Sequence, residues 1–418
     1  MIRPAEQIAL DAIRTGEMAD LLCQLVAIPS LDGSEGEVQV QETVAAVMHR
    51  FGLEVDRWEI DFGALSRHTA FSSEFERNLG LGVVGSLGEG DGPTLIFNGH
   101  VDVVPADDPA NWHYPPWQGT LENGRIYGRG AVDMKGGLCC ALFAARALKE
   151  SRVPLKGRLL VQSVIGEEDG GCGTLASVLR GHTGDGAVIL EPTGMKVVTS
   201  QAGALSFRIT VQGLSAHGSM RRSGVSAIEK FLPIHQALLD LEARRNAHVE
   251  DPLMAQYPLP YALSIGNLRA GNWPSSVPES LVCEGRYGVA VGEDVAAAKR
   301  LLEESVAHAA SGDAWLQEHP PRVEWWGGQF HPASIPPQHP LAVSVGQALA
   351  DITGVTADCV GVPYGADLRL LVNQGHTPTV LFGPGDVRQA HRPDEYVPLK
   401  ELEQVTRSLV LLAMRTLA

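Results

Sequence analysis

Short apolar strands alternate with helices in the first half of the chain, and this alternation limits the possible fold more than any other sequence feature. Strands are predicted over residues 53–58, 81–87, 94–97, 158–165 and 187–190, and a nearly all-apolar helix is predicted over residues 138–148. A helix that is apolar all round is buried, and strands separated by helices form a sheet covered by helices. We therefore predict an α/β domain with a mixed, mostly parallel sheet and helices on both faces.

The pattern changes at about Gly203 and returns before Pro340. Between these points, strands with the alternation of half-exposed antiparallel strands are joined by helices, including one over residues 225–244 that we expect to be interrupted at Pro233. A chain of 418 residues is also too long for one ordinary core. We predict a discontinuous first domain and an inserted α+β domain, comprising residues 1–202 with 331–418, and residues 203–330, respectively.

Composition excludes several classes of protein. The formal charge of −16 disfavours nucleic acid or an anionic membrane surface as a partner, because both attract basic patches. No apolar run approaches the roughly 18 residues of a membrane-spanning helix. The first 30 residues lack the basic and then apolar order of a signal peptide, and the six cysteines are scattered without a CxxC pair. We expect a cytoplasmic protein with reduced thiols.

Two local features of the first domain lie between the first helix and the central strands. Ser34 and Glu37 have the spacing of a capping box, which predicts the start of a helix that ends at Gly52. Residues 61–79 are aromatic and charged without a clear period. We predict an irregular insertion there, and the sequence does not indicate its role.

The predicted strand at residues 94–97 leads into the sequence GHVDVVP, residues 99–105. Alternate residues of an extended chain point to the same side, so His100 and Asp102 leave the strand end together. A carboxylate beside an imidazole fixes its tautomer and raises its basicity, as a metal-binding histidine requires. An ordinary polar pair has the same spacing, so the remaining ligands decide between the two interpretations.

Further residues of metal-binding type follow other strands or lie in loops: Asp133, the pair Glu167 and Glu168, Glu191, and His391. In open α/β sheets the functional crevice lies at the carboxyl ends of the strands, where we expect four of these five positions, His100 included. Two imidazoles with three carboxylates suit a pair of Zn²⁺ or similar ions. Asp133 is the natural bridge, because a carboxylate can give one oxygen to each ion.

Glu167 and Glu168 are adjacent in a predicted loop, so one can bind metal while the other stays free. A free carboxylate beside a metal-activated water is suited to act as the general base of a hydrolysis. Each position also has a plainer interpretation: a solvated acidic turn at residues 167–169, a helix N-cap at Asp133, and a strand-end turn residue at Glu191.

Five ordered motifs resemble those of the M20 metallopeptidases and deacylases, a family that includes acetylornithine deacetylase, succinyl-diaminopimelate desuccinylase, aminoacylases and glutamate carboxypeptidases. The motifs are GHVDVVP (residues 99–105), GRGAVDMKGG (128–137), EEDGG (167–171), EPT (191–193) and AHRPDE (390–395). The resemblance spans nearly the whole chain. It implies a catalytic α/β domain with an inserted lid domain that also forms a homodimer.

The resemblance also implies residue roles. One metal is expected on His100, Asp133 and Glu191, the other on Asp133, Glu168 and His391, with Asp102 behind His100 and Glu167 as general base. Zn²⁺ is the expected metal, with Co²⁺ or Mn²⁺ as alternatives. Glutamate rather than aspartate at position 191 favours a deacylase over a carboxypeptidase or aminopeptidase.

The resemblance also implies residues that contact the substrate. His217, in GLSAHGS, resembles a histidine that reaches across the dimer to the substrate oxyanion, and Arg286 resembles a strand arginine that binds a substrate carboxylate. Both have the alternative of an ordinary surface residue. Ser275 stands where the family commonly has asparagine, and Gly383 lies in a substrate-side loop.

The sequence therefore predicts a metal-dependent amidohydrolase that removes the acyl group from an N-acyl amino acid with a free carboxylate. The alternatives are a dipeptidase or glutamate-type carboxypeptidase on the same two metals, and a non-catalytic metal-binding scaffold. The scaffold alternative needs an incomplete ligand set, whereas every ligand position here is filled. The expected partners are a small N-acyl amino acid or dipeptide and a second copy of the chain.

Overall fold

The computed structural model describes residues 2–418, which divide into two compact units. Unit 1 is formed by the chain up to Ser200 together with Ser334–Val360 and Ala366–Ala418, and unit 2 by Gln201–Ala333 and Gly361–Gly365. Within residues 2–418, no helix combines the length and apolarity needed to cross a membrane.

The α-helices are α1 (Pro4–Asp11), α2 (Thr15–Val26), α3 (Glu35–Arg50), α4 (Phe62–Leu65), α5 (Gly136–Ser151), α6 (Cys172–Leu179), α7 (Ala227–Asn246), α8 (Val295–Ala310), α9 (Ala314–Glu318), α10 (Pro340–Thr353), α11 (Leu368–Asn373) and α12 (Leu399–Leu417). The strands are β1 (Glu54–Glu59), β2 (Leu81–Leu87), β3 (Thr94–His100), β4 (Thr120–Glu122), β5 (Arg125–Tyr127), β6 (Arg158–Val164), β7 (Gly186–Ile189), β8 (Val197–Gln201), β9 (Gly203–Gln212), β10 (Leu263–Ala270), β11 (Ser280–Val289), β12 (Arg322–Phe330), β13 (Ala333–Ser334), β14 (Cys359–Val362), β15 (Thr379–Leu381) and β16 (Tyr396–Pro398).

The largest sheet has the strand order β1-β2-β6-β3-β7-β15-β8-β13, with β14 paired to β8. Its central strands β6, β3, β7 and β15 are parallel, whereas β1 with β2, β2 with β6, and β15 with β8 are antiparallel. The sheet is therefore mixed, with its parallel part in the centre, and the predicted α/β class is confirmed.

The parallel strands are apolar because both faces of such a sheet are covered. Leu95, Ile96 and Phe97 of β3 are buried, and α5, predicted as a buried helix, is buried along most of its length. In the register of β3, His100 lies opposite Val164 of β6. The parallel strands β3, β6 and β7 consequently end at the same edge of the sheet.

Unit 2 contains an antiparallel sheet in the order β10-β11-β9-β12. Strand β9 alternates buried and partly buried residues as predicted, and its inward side chains pack in one core with those of α7 and α8. The expected interruption of α7 at Pro233 is wrong. The proline is exposed, while Phe231 and Ile234 beside it are buried, so packing holds the helix together despite the lost backbone hydrogen bond.

The predicted capping box at the start of α3 is also wrong in its contacts. Ser34 is the N-cap residue, but its Oγ has no hydrogen-bond partner among residues 2–418. Glu37 Oε2 instead accepts the N–H of Gly33 at 2.8 Å, and Oε1 lies 3.3 Å from Arg77 Nη2. The carboxylate of Glu37 is therefore shared between the amide that precedes Ser34 and a buried guanidinium, and it does not reach the N–H of Ser34.

Residues 61–79, predicted as an irregular insertion, contain only the single turn of α4 as regular structure. Asp61 caps this turn, because its Oδ1 accepts the N–H of Ala64 at 2.9 Å. The rest of the segment is irregular and contacts the loop that follows β6, as described below.

Glu6 of α1 provides a test of how the terminal helices are held. Its fully buried carboxylate accepts hydrogen bonds from the backbone N–H of Arg3 at 2.6 Å and from Arg415 Nε at 2.9 Å. Burial opposes ionisation, but the hydrogen bonds from Arg415 and Arg3 outweigh it and lower the pKa of Glu6 from 4.5 to about 2.

Since the pKa of Glu6 is lower in the folded chain, its contribution to stability is complete above pH 4.5 and is lost as the pH falls toward 2. We expect Glu6→Gln to lower the free energy of unfolding by about 3 kcal/mol at pH 7. In urea denaturation, the difference from the wild type should shrink below pH 4.5. Glu17→Gln, at an exposed carboxylate on Arg146, is the control and should change little. A deficit independent of pH would contradict this account of Glu6.

Candidate metal centre

Three of the predicted ligand positions lie at the shared edge of the large sheet. His100 is the last residue of β3, Glu167 and Glu168 lie in the turn after β6, and Glu191 follows β7. Parallel neighbouring strands bring their carboxyl ends together, which explains why residues far apart in sequence meet here.

Asp133 lies at the same edge of the sheet, 3.1 Å from His100, but it does not follow a strand of that sheet. Strand β5 belongs to a separate sheet, β16-β5-β4, and Asp133 lies in an irregular turn, Ala131–Lys135, that leads into α5. The peptide bond between Asp133 and Met134 is cis. The buried Lys135 anchors the turn, because its Nζ donates to Leu25 O and Ile28 O at 2.9 Å each.

The two carboxylate oxygens of Asp133 face different imidazoles. Oδ1 lies 3.1 Å from Nε2 of His100, and Oδ2 lies 3.4 Å from Nε2 of His391. His391 Nε2 is also 2.8 Å from Glu168 Oε1, and His100 Nε2 is 4.0 Å from Glu191 Oε1. The structure thus brings all five predicted ligands together, with Asp133 between two groups of donors.

Two sets of donor atoms lie within 4.8 Å of one another: those of His100, Asp133 and Glu168, and those of His100, Glu167 and Glu191. Glu167, predicted to stay free as a base, is therefore also within reach of a ligand position. His391 is half exposed, whereas His100 is buried, so the cluster has a solvent-facing side at His391.

Asp102 has a contact that sequence reasoning did not anticipate. His100 Nδ1 lies 3.0 Å from the backbone carbonyl oxygen of Asp102 and 3.6 Å from its Oδ1, so the hydrogen-bond partner of the imidazole is the backbone carbonyl and not the predicted carboxylate. Its Oδ2 accepts the backbone N–H of Glu168 at 3.0 Å. Asp102 therefore connects the loop after β3 to the loop after β6.

Burial, neighbouring carboxylates and the two imidazoles shift the pKa values of the cluster in opposite directions. Burial and the nearby carboxylates raise the pKa of Glu167 and of Glu191 well above its usual value. Burial also opposes ionisation of Asp133, but hydrogen bonds with His100 and His391 lower its pKa. The hydrogen bonds with Asp133 and Glu168 raise the pKa of His391 to about 10.

Glu191 Oε1 is buried without a hydrogen-bond partner in the part of the chain described. A buried, unpaired carboxylate oxygen is costly unless a metal or a charged partner satisfies it. Imidazole nitrogens and carboxylate oxygens, with no thiolate, are a donor set suited to Zn²⁺, Co²⁺ or Mn²⁺. The residues present therefore fit a pair of divalent cations.

Glu395 lies in the motif AHRPDE, but the sequence alone predicts no role for it. Its buried carboxylate accepts the backbone N–H groups of Val132 at 3.0 Å and Asp133 at 3.2 Å, and Arg129 Nη1 donates to it at 2.6 Å. Glu395 therefore holds the turn that carries Asp133. Its position four residues after His391 was the available signal, but only the fold shows what it contacts.

The residues assigned to the substrate are divided between the units. In unit 2, His217 pairs with Ser276 in an isolated bridge, and Ser275 O accepts the N–H of Gly218 at 2.6 Å, so His217 and Ser275 are close neighbours. Arg286 lies on β11, where its Nη2 donates to Pro363 O at 2.6 Å.

Gly383, in unit 1, packs against the segment that carries a predicted ligand. A Cβ there would lie 2.4 Å from Leu190 O and 2.5 Å from Glu191 O, so only glycine fits. Its N–H donates to Thr193 Oγ1 at 3.1 Å. The glycine thus supports Glu191, and its contact with substrate stays a prediction.

Comparison with known proteins finds one family across most of the chain. The model of peptidase family M20/M25/M40 matches residues 96–415. An N-formyl-4-amino-5-aminomethyl-2-methylpyrimidine deformylase from Halalkalibacterium halodurans is 29% identical over 94% of this chain and 93% of its own. An acetylornithine deacetylase from Erwinia tasmaniensis is 28% identical, covering 93% and 94%. The M20 metallo-carboxypeptidase Sso-CP2 from Sulfolobus solfataricus shares the fold, with a TM-score of 0.78 at 14% identity over 95% of this chain and 98% of that one.

Proposed function

Because the chain belongs to peptidase family M20/M25/M40, whose members hydrolyse amide bonds, we propose that it removes the acyl group from an N-acyl amino acid. The observation that carries the proposal is the arrangement around Asp133. Its two oxygens face His100 and His391, and the buried Glu167 lies in the same cluster. Such a centre provides two cation positions and an acid–base group for one reaction.

We assign one divalent cation to His100, Asp133 and Glu191, and a second to Asp133, Glu168 and His391. When bound, the two cations polarise the acyl carbonyl and lower the pKa of the attacking water. Asp102 and Glu395 hold the ligands in place through His100 and through the Asp133 backbone, respectively. Zn²⁺ is the metal we favour.

Glu167 is the proposed general base. It takes a proton from the water as the water attacks the acyl carbon, and it returns that proton to the nitrogen of the leaving amine as the C–N bond breaks. Burial and neighbouring carboxylates raise the pKa of Glu167, which favours the proton-donating half of this cycle. His217 of one copy is proposed to donate a hydrogen bond to the oxyanion formed at the centre of the other.

The substrate assignment rests on Glu191 and on the relatives. Glutamate at this ligand position favours deacylation, and the two curated relatives are named as a deformylase and a deacetylase. Arg286, Ser275 and Gly383 are proposed to contact the substrate, with Arg286 binding its carboxylate. A second candidate is removal of a formyl group from an aminomethylpyrimidine, favoured by the 29% identity over 94% of the chain.

A substrate panel tests the assignment. Protein loaded separately with Zn²⁺ and with Co²⁺ is assayed on N-acetyl and N-formyl amino acids, on N-formyl-4-amino-5-aminomethyl-2-methylpyrimidine, and on dipeptides. We expect the highest kcat/KM on an N-acyl amino acid. A clear preference for the pyrimidine or for dipeptides would replace the assignment with the corresponding alternative, and a metal-loaded protein inactive on all of them would support the scaffold.

We also propose that unit 2 is the lid and that it forms a homodimer. Strand β10 is at the edge of its sheet, and α7 exposes Ile228, Leu232 and Leu239 on one face. We expect light scattering to give a dimer for the wild type and a monomer for Leu232→Glu. Leu301→Glu, at a comparably exposed leucine of α8, should stay dimeric. A monomeric wild type or a dimeric Leu232→Glu variant would contradict this interface.

A further inference from the structure

We propose that Arg77 is a positioning residue for the metal centre, and that residues 72–77 hold the loop that carries Glu167 and Glu168 in its working arrangement. The proposal gives a role to the irregular segment at residues 61–79. Its part that concerns turnover rests on the proposed function, whereas its part that concerns metal affinity does not.

Arg77 is buried, with 2% of its side chain exposed, and it contacts three carboxylates, two near the start of α3 and one in the loop after β6. Its Nη1 donates to Asp169 Oδ2 at 3.1 Å, and its Nη2 donates to Asp32 and, at 3.3 Å, to Glu37. One guanidinium thus serves three buried acids. Such a group is costly to remove, because three buried carboxylates would lose the positive charge that they share.

Asp169 follows Glu168 directly, and the segment holds it with three donors. They are the Oγ of Ser73 at 2.5 Å, the backbone N–H of Glu74, and Arg77. At the other end of the same loop, a Cβ on Gly166 would lie 3.0 Å from Arg77 Nη2. The guanidinium therefore lies against both ends of the short loop that contains the two glutamates.

Arg77 also reaches the segment that pairs with the loop after β3. Asp32 lies two residues after Ser30, whose Oγ donates to Val101 O at 2.6 Å and whose carbonyl accepts the N–H of Val103 at 3.0 Å. The guanidinium consequently joins the chain beside Asp102 to the loop of Glu168, and Asp102 itself accepts the N–H of Glu168.

Loss of this connection should move the loop, because Asp169 would keep only its two contacts with residues 73 and 74 and would lose its link to the start of α3. A displacement of about 1 Å in a catalytic group can cost about 100-fold in rate. Loss of a contact that orients a metal ligand typically costs about 10–100-fold in metal affinity. The metal position that contains Glu168 is the one expected to weaken.

The test compares Arg77→Met and Arg77→Lys with Arg245→Met. Arg245 is the matched control, because it forms a largely buried ion pair with Glu293 in unit 2 at 2.6 Å. Binding of Co²⁺ is followed by visible absorption, and kcat and KM are measured on the best substrate of the panel. All variants are first compared by thermal unfolding, since both arginines contribute to stability.

For Arg77→Met we expect one of two Co²⁺ sites to weaken by about 10–100-fold and kcat to fall by about 100-fold, with KM nearly unchanged. Arg77→Lys should recover part of both losses, because it restores the charge without the two-pronged geometry. Arg245→Met should lose stability alone. An Arg77→Met protein with the Co²⁺ affinity and kcat of the control would overturn the proposal.

Ser73→Ala covers the case in which Arg77→Met does not fold. This change removes one hydrogen bond to Asp169 and keeps every ion pair of Arg77. We expect a smaller fall in kcat and in the affinity of the same Co²⁺ site, and unchanged values for both would overturn the proposal. If the wild type turns over no substrate of the panel, the proposed function fails, and the Co²⁺ titrations alone decide the role of Arg77.

Discussion

Glu167→Gln is expected to bind both metals and to lose turnover by about 10²–10⁴-fold, the usual contribution of a general acid–base group. Glutamine keeps the size of the side chain but cannot take a proton from water or return one to the amine. The alternative role for Glu167 is that of a metal ligand, because it lies within 4.8 Å of donor atoms of His100 and Glu191. If Glu167 is a ligand, the variant loses metal as well as activity.

Metal content by mass spectrometry separates the two roles, and Glu168→Gln is the matched comparison. Glu168 is adjacent in sequence and 2.8 Å from His391, so its replacement should lower metal content at one site. Near-normal turnover in Glu167→Gln would exclude the general-base role. Loss of metal in Glu167→Gln, equal to that in Glu168→Gln, would assign Glu167 as a ligand.

Asp133→Ala is expected to lose both metals and to lower turnover by at least about 10³-fold. Its two oxygens face the two imidazoles, so both proposed cation positions would share this one carboxylate. Removing this carboxylate takes one donor from each position. The measurements are metal content and kcat/KM in buffers with controlled free Zn²⁺.

His391→Ala is the comparison for Asp133→Ala. His391 is half exposed and lies beside Oδ2 of Asp133 and Oε1 of Glu168, so its loss should empty one position and leave the other filled. Retention of two metals with unchanged affinity in Asp133→Ala would contradict the bridging role. Equal metal loss in the two variants would indicate that the positions fill only together.

Much of the fold and of the site could be predicted because the signals are local. The apolar run of β3 and the glutamates after β6 and β7 are visible within a few residues, and parallel strands must end at one edge. The predictions failed where a distant contact outweighs a local preference. Glu37 contacts Gly33 and Arg77 instead of the N–H of Ser34, and Pro233 stays within α7 because its neighbours are packed.

The sequence by itself determined the donor chemistry, the order of the proposed ligands and the strands that present several of them, because burial periodicity and motif spacing are properties of short segments. The tertiary structure alone decided which oxygen of Asp133 faces which imidazole and what Asp102, Glu395 and residues 72–77 hold. Arg77 meets carboxylates 40, 45 and 92 residues away in the chain. Folding brings these buried charges together from distant parts of the chain. No pattern within a short segment therefore predicts the ion pairs.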